Sequence, residues 1–166
     1  LMRLIPNMTI VEVGDATEVE TVWETFASVR GPVYCRMLRG EVPRLFDNPM
    51  EFGTARVLAA GEDVLLISTG VMTEVSMQAV AALRRRGLDV AHAHVSTLKP
   101  FDEPVISDLI QKVRYGVVTV ENHRSTGGLG TVVAEAMTDL GTSRRLVRLG
   151  VHDRFTHGGS RQYLMQ

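Results

Sequence analysis

The stretch Val117-Val118-Thr119-Val120-Glu121-Asn122-His123-Arg124-Ser125-Thr126-Gly127-Gly128-Leu129-Gly130 changes its pattern partway along. Its β-branched start reads as a buried strand and its middle as a polar loop, and its glycines open onto an apolar run of helical period. A strand that passes through a short loop into a helix is half of a βαβ unit, so the stretch sets the expected fold class as α/β. In open sheets of that class ligands meet the carboxyl ends of the strands. This strand end is the most polar one in the chain.

The neighbouring segments repeat the pattern. Downstream, the helix is expected to reach Leu140 before Gly141, with a last strand over 146–149 and a closing helix capped by Ser160. Upstream, 55–59 and 64–68 read as strands joined by the tight turn Gly61-Glu62-Asp63, hence as an antiparallel hairpin. A helix then runs to Arg86 with Val75, Ala79, Ala82 and Leu83 facing inward, and Gly87 sits at its C′ position. A strand over 88–95 follows. Lys99-Pro100-Phe101-Asp102 reads as a turn, with Asp102 capping a helix that carries Val105, Ile106, Leu109, Ile110 and Val113. The sum is a three-layer, mostly parallel, doubly wound sheet of about five strands with one antiparallel edge strand. Before it, 8–13 and 33–38 read as strands flanking a helix that carries Val19, Val22, Trp23, Phe26 and Ala27. Asp15 and Glu18 have capping-box spacing at the start of that helix, and Gly31-Pro32 ends it. This βαβ unit is too small to close a core alone. Between the two parts, Pro43 and Asp47-Asn48-Pro49 mark a linker.

Composition narrows the class. The 166 residues are 45% hydrophobic and 22% charged, which suits a globular chain of about one domain. A net charge of −1 argues against a nucleic-acid binder, and no apolar run approaches membrane length. Cys35 is the lone cysteine, which excludes an internal disulfide or a multi-thiolate metal centre and suits a reducing cytoplasm. The apolar start at Leu1 and the short run after Ser160 fit a piece of something longer.

Several residue groups are candidates for chemistry. Amides at Gly127, Gly128 and Gly130 could hold an anion at a helix start; equally, the glycines could permit close helix–strand packing. The spacing is not a dinucleotide fingerprint, because Val133 stands where a small residue belongs, and no phosphate-loop lysine follows. Glu121 could act as an acid or base with His123 nearby, or could cap its own loop. His92 and His94 share one strand face, but no third zinc ligand is evident, and a solvent- or interface-facing pair is the expectation. His152, Asp153, Arg154 and His157 sit in the last loop, where a partner could meet them. Ser68-Thr69-Gly70 is not a nucleophile elbow, and Cys35 reads as buried. No catalytic residue and no metal ligand are therefore assigned. Among Arg36, Arg39 and Arg44, Arg39 stands where a strand ends and a guanidinium can reach a phosphate or carboxylate; a surface salt bridge would use it equally well.

In order, the motifs resemble the thiamine-diphosphate enzymes of the transketolase family. Ile5-Pro6-Asn7-Met8-Thr9, Gly14-Asp15-Ala16-Thr17-Glu18 and Arg36-Met37-Leu38-Arg39-Gly40-Glu41-Val42-Pro43 look like the end of that family's pyrimidine-binding domain. Leu98-Lys99-Pro100-Phe101-Asp102, Val120-Glu121-Asn122-His123, Gly127-Gly128-Leu129-Gly130 and Leu149-Gly150-Val151-His152-Asp153 look like its C-terminal domain. The resemblance implies a pyrimidine-domain remnant over 1–45, a linker over 46–53 and a C-terminal domain over 54–166. It implies transfer of a two-carbon ketol unit between phosphorylated sugars, with thiamine diphosphate and Mg²⁺ supplying the chemistry in the complete enzyme. The family's cofactor-binding residues precede the Ile-Pro-Asn strand, so none is expected to bind this chain alone. The partners implied are an N-terminal half or upstream domains, in a homodimer or heterotetramer. By resemblance, Arg39 with Pro43 matches the family's phosphate-binding arginine segment, and Glu121, His123 and the glycines serve architecture or subunit contact. Deoxyxylulose-phosphate synthase and 2-oxo-acid dehydrogenase beta subunits share much of the pattern. A non-catalytic dimerisation or anion-binding domain is the other alternative.

Overall fold

The computed structural model describes all residues except 102, 154, 156, 157 and 160–166. The expected cap at Asp102, the closing helix from Ser160, and the loop residues Arg154 and His157 lie outside the described residues. Elements follow in the order β1 (Thr9–Glu12), α1 (Ala16–Ser28), β2 (Val33–Arg36), β3 (Arg56–Ala59), β4 (Val64–Ser68) and α2 (Met72–Arg85). Then come β5 (Val90–His94), β6 (Thr97–Lys99), α3 (Glu103–Lys112), β7 (Gly116–Arg124), α4 (Leu129–Asp139) and β8 (Arg145–Val151).

The main sheet has five strands in the order β3-β5-β4-β7-β8, parallel except for β3 at one edge. The expected class and antiparallel edge are both present, but the hairpin is not. β3 pairs with β5 rather than with β4, so β5 lies between the two strands that the turn at Gly61 joins. A methyl on Gly61 would overlap the backbone of Val90 and Ala91, and that close approach lets the connection pass over β5. Alternate residues of β4 face two different layers. Leu65 and Ile67 join Ile106, Ile110, Leu129 and Val133 beneath α3 and α4, while Leu66 packs with Val80 and Val90 beneath α2.

α2 closes as the sequence predicts. Gly87 N–H bonds to Arg84 O and Leu88 N–H to Leu83 O, with Gly87 at φ +87°, which is a Schellman motif. Its buried face differs from the expected one. Thr73, Ser76 and Val80 are buried, while Val75 and Ala79 are exposed. α1 is rotated in the same sense: Val22 is buried with Thr17, Glu18 and Thr25, whereas Trp23 is 59% exposed. Thr73 of α2 and Glu18 of α1 turn inward to buried polar partners, while Val22 and Val80 on the same faces pack into apolar clusters.

The expected incomplete βαβ unit is completed by a strand from elsewhere. β1 pairs parallel with β2 and antiparallel with β6, so the residues leading into the expected turn at Lys99 supply a third strand. Val11, Val13, Val22 and Met50 form the small core of this second sheet.

Candidate functional site

In the main sheet the chain steps from β4 to β5 on one side, then crosses back to β7 on the other. The strand order therefore reverses between β4 and β7, and the crevice at their carboxyl ends is where such a sheet admits a ligand. Here the second sheet fills it. Glu12 and Arg36 are register partners on β1 and β2 and form an ion pair. Arg36 also donates to Asn122, at the end of β7, through both the side-chain oxygen and the backbone carbonyl, the latter at 3.1 Å. On the β4 side a side chain at Gly70 would overlap Glu12, so glycine is required for the carboxylate to enter. Burial pushes the Glu12 carboxyl above its ordinary range, against the opposing pull of Arg36. What remains of the crevice is a cavity of about 120 Å³ lined by Glu12, Arg36, Arg39, Val71 and Asn122.

The three candidate arginines separate clearly. Arg36 is committed to Glu12 and Asn122. Arg44 bonds to exposed Glu20 at 2.6 Å and to buried Thr17 at 2.7 Å. Arg39 lines the cavity, is exposed, and makes no ion pair or side-chain hydrogen bond among the described residues. It is the cation on this rim with its donors free.

The glycine-rich loop carries its own anion. Glu121 is 3% exposed and accepts from Leu129 N–H at 2.9 Å and Gly130 N–H at 2.8 Å, capping α4 with a carboxylate from the preceding strand. A methyl on Gly128 would overlap Glu121 Oε2, and one on Gly130 would meet Arg148 and Thr119. The two amides that an external anion would use are therefore occupied, and Gly128 makes room for the carboxylate that occupies them. His123 lies 3.8 Å from Glu121 and bonds through Nδ1 to the carbonyl of Arg124. Glu121 is committed to this cap, which leaves it ill placed for acid–base chemistry. Arg124 pairs with Asp153 rather than with Glu121, and His152 is exposed.

The histidine pair is not on a surface. His92 and His94 are 1% and 0% exposed and belong to a buried chain of hydrogen bonds. Ser68 Oγ lies 2.9 Å from His92 Nε2 and 3.1 Å from Thr73 Oγ1, which is 2.7 Å from His94 Nδ1. On the other side of the ring, His94 Nε2 lies 3.0 Å from Glu18 Oε2, and Ser96 donates to Glu18 Oε1 at 2.6 Å. One hydrogen arrangement satisfies every group: His92 donates to Ser68, Ser68 to Thr73, Thr73 to His94 Nδ1, and His94 Nε2 to Glu18. Burial pushes His92 down to about 4, with His94 adding to the effect. For Glu18 burial works upward, but the bonds from His94, Ser96 and Gly14 outweigh it and hold the carboxyl below its ordinary value. Among the described residues no group of three or more His, Cys, Asp and Glu could hold a metal ion. Cys35 is half-buried, and burial raises its thiol to about 11, far from a reactive thiolate.

The Glu12–Arg36–Asn122 cluster and the Glu18–His94 bond were not assigned roles from sequence. Their signals were present, in a glutamate between Val11 and Val13 and an arginine inside an apolar strand. A charge inside a strand needs a partner, but sequence does not say which one.

A larger groove of about 690 Å³ lies beside α2, lined largely by apolar groups including Met72, Val75, Ala79, Val120 and Leu149. No helix of the described residues is long and apolar enough to cross a membrane.

Comparison with known proteins agrees with this architecture. The family model for the transketolase C-terminal domain matches residues 53–166. A Methanocaldococcus jannaschii protein described as "Putative transketolase C-terminal section" is 34% identical over 170 residues, which cover all of this chain and 52% of that protein. The 1-deoxy-D-xylulose-5-phosphate synthase of Gloeobacter violaceus is 32% identical over 170 residues, covering 98% of this chain and 26% of the synthase. A solved structure described as a split gene transketolase, inactive beta4 tetramer, matches with a TM-score of 0.86 at 33% identity, over 92% of this chain and 51% of that one. The chain thus spans about half the length of the first relative and about a quarter of the second.

Proposed function

Because the chain belongs to the transketolase family, as a C-terminal part, we propose that it serves a transketolase that moves a two-carbon ketol unit between phosphorylated sugars. Within that enzyme Arg39 binds the substrate phosphate. The carrying observation is Arg39 itself, exposed on the rim of the crevice cavity with its donors uncommitted, while both neighbouring arginines are spoken for. A planar guanidinium in that state suits a phosphate in bidentate fashion.

Complete enzymes of this family depend on thiamine diphosphate, and that cofactor supplies the carbanion chemistry when bound. The glycine-rich helix start offers no cradle for its diphosphate, since Glu121 already occupies the amides there. No step through the cofactor is therefore assigned to this chain. Its partners in this reading are an N-terminal half or upstream domains, in a homodimer or heterotetramer that works in the cytoplasm. The relative matched over 52% of its length and the solved structure described as an inactive beta4 tetramer support the need for a completing partner. Residues 1–45 then act as the end of a pyrimidine-binding domain and 54–166 as the C-terminal domain, with 46–53 between them. The loop at Glu121, His123 and the glycines contributes subunit contact.

The synthase relative offers a second activity on the same scaffold. A reconstituted enzyme is therefore assayed with xylulose 5-phosphate plus ribose 5-phosphate, and separately with pyruvate plus glyceraldehyde 3-phosphate. Turnover of the first pair alone is expected. In that enzyme Arg39→Ala is expected to raise KM for phosphorylated acceptors between about tenfold and a hundredfold, with unphosphorylated acceptors little changed. Equal losses for both would remove the phosphate role.

A further inference from the structure

The segment that carries Arg39 has no regular structure between β2 and β3, yet both its ends are fixed. At the upstream end Arg36, three residues before Arg39, is held by Glu12 and Asn122. At the downstream end the fixing group is Asp15. One of its oxygens, Oδ1, accepts from Glu18 N–H at 2.8 Å, the helix cap that spacing alone predicts. The other, Oδ2, does something a cap does not require. It accepts from both Leu45 N–H and Phe46 N–H, each at 2.9 Å. Further bonds run alongside: Ala16 N–H to Pro43 O at 3.0 Å, Thr17 Oγ1–H to Phe46 O, and Arg44 to Thr17 and Glu20.

Asp15 is fully buried, and a buried carboxylate with three amide donors is a well-satisfied, stiff anchor. Phe46, at 5% exposure, is packed against the His94 ring at 5.3 Å, with the Arg56 guanidinium 4.4 Å above its ring. The downstream anchor is therefore rigid against both the helix and the main sheet. Arg39 stands between the anchors, exposed itself and next to the exposed Gly40 and Glu41.

We infer that Asp15 is a positioning residue for Arg39: its second carboxylate oxygen clasps Leu45 and Phe46 to the start of α1 and so sets where the guanidinium stands at the crevice. This rests on the reading of Arg39 as the phosphate-binding group. The clasp and the cap can be separated chemically. In Asp15→Asn the remaining oxygen can still cap α1, and Asn is as good a cap as Asp. The amide nitrogen would then face two N–H donors and break the clasp. Asp15→Ser likewise keeps a good cap and is too short to reach Leu45 and Phe46.

The test uses the complete enzyme, reconstituted with its cofactor-binding partner, and measures KM and kcat for phosphorylated and unphosphorylated acceptors in Asp15→Asn, Asp15→Ser, Arg39→Ala and the double variants. The expected result is a KM for the phosphorylated acceptor raised about tenfold or more in both Asp15 variants, as displacement of a binding group predicts. kcat and the unphosphorylated KM should stay near wild type. In the Arg39→Ala background the Asp15 change should add little, since the group it positions is gone. If Arg39→Ala is selective for phosphate and both Asp15 variants lack that selectivity, or act additively with it, the positioning role is overturned while the Arg39 reading stands. If Arg39→Ala is itself unselective, both fall.

Discussion

Glu121 shows how one residue decides what a loop can do. Its carboxylate satisfies two buried amides at the start of α4, and those donors have no replacement when it is removed. Glu121→Ala is expected to cost about 2–4 kcal/mol, from two buried N–H groups left unbonded. Glu121→Gln keeps one acceptor and should cost about half as much. Urea unfolding of the chain checks both; a loss within about 0.5 kcal/mol for the alanine variant, ordinary for a surface site, would show the cap to be dispensable. The residue's two possible roles looked alike in sequence, because an acidic strand end before glycines suits a catalytic acid as well as a cap. Geometry separates them, since both oxygens point at amides. Arg39 is the opposite case: its place at an expected strand end suited a phosphate ligand and a surface salt bridge alike, and the partners that Arg36 and Arg44 acquire in three dimensions are what leave it free among the described residues.

At the scale of elements, the buried hydrogen-bond chain couples α1 to β4, α2 and β5, and it carries a pH signature. Burial and then His94 push His92 down to about 4 in the folded state, against about 6.5 for a histidine in an unfolded chain. As pH falls below about 6.5 the unfolded state therefore takes up a proton that the folded state refuses. Stability declines from there to about pH 4 and levels off below, by up to about 3 kcal/mol, with no contribution above pH 7. Glu18, held below its ordinary value, adds stability that is lost at more acid pH. Glu12 works in the opposite sense, because its raised value makes the folded state the better proton acceptor, and its stabilisation fades as pH rises from the ordinary carboxylate value through the raised one. Comparing wild type with His92→Gln by thermal unfolding at pH 7, 6, 5 and 4 isolates the histidine. The variant should lose markedly less stability across that range, and parallel curves would dismiss the assignment. The same elements show what the sequence could convey. Strand and helix alternation, the Asp15 cap and the Gly87 stop were legible because each depends on neighbours in the chain. The β6 pairing, the insertion of β5 beside β3 and the burial of His92 and His94 were not, because each depends on a segment distant in sequence. The inward faces of α1 and α2 were misjudged for a related reason. Apolar period locates a buried face only in part when that face also meets polar groups: Val19, Val22, Phe26 and Leu83 do pack inward, but the faces extend to His94, Ser96 and Ser68.

The whole molecule has two sheets locked by polar contacts, with the ligand crevice of the larger one filled by Glu12 and Arg36 of the smaller. That arrangement suits a chain that presents one binding group to a site completed elsewhere. Large apolar side chains remain open as well: Trp23 is 59% exposed, Tyr115 66% and Leu149 51%, and the groove beside α2 is lined mostly by apolar groups. In the proposed assembly, these apolar groups are the ones a completing partner would cover. The cofactor tests the division of labour directly. Micromolar binding is worth about −8 kcal/mol, which for a diphosphate requires several donors and a metal around it. The one amide-lined helix start that Gly127, Gly128 and Gly130 suggested already holds a carboxylate. Calorimetric titration of the purified chain with thiamine diphosphate and Mg²⁺ is therefore expected to give no saturable heat in the micromolar range. The same titration after addition of the N-terminal partner is expected to give it. Micromolar binding by this chain alone would place a diphosphate site within these 166 residues and overturn the division proposed here; no binding even with the partner would deny that the partner completes the site.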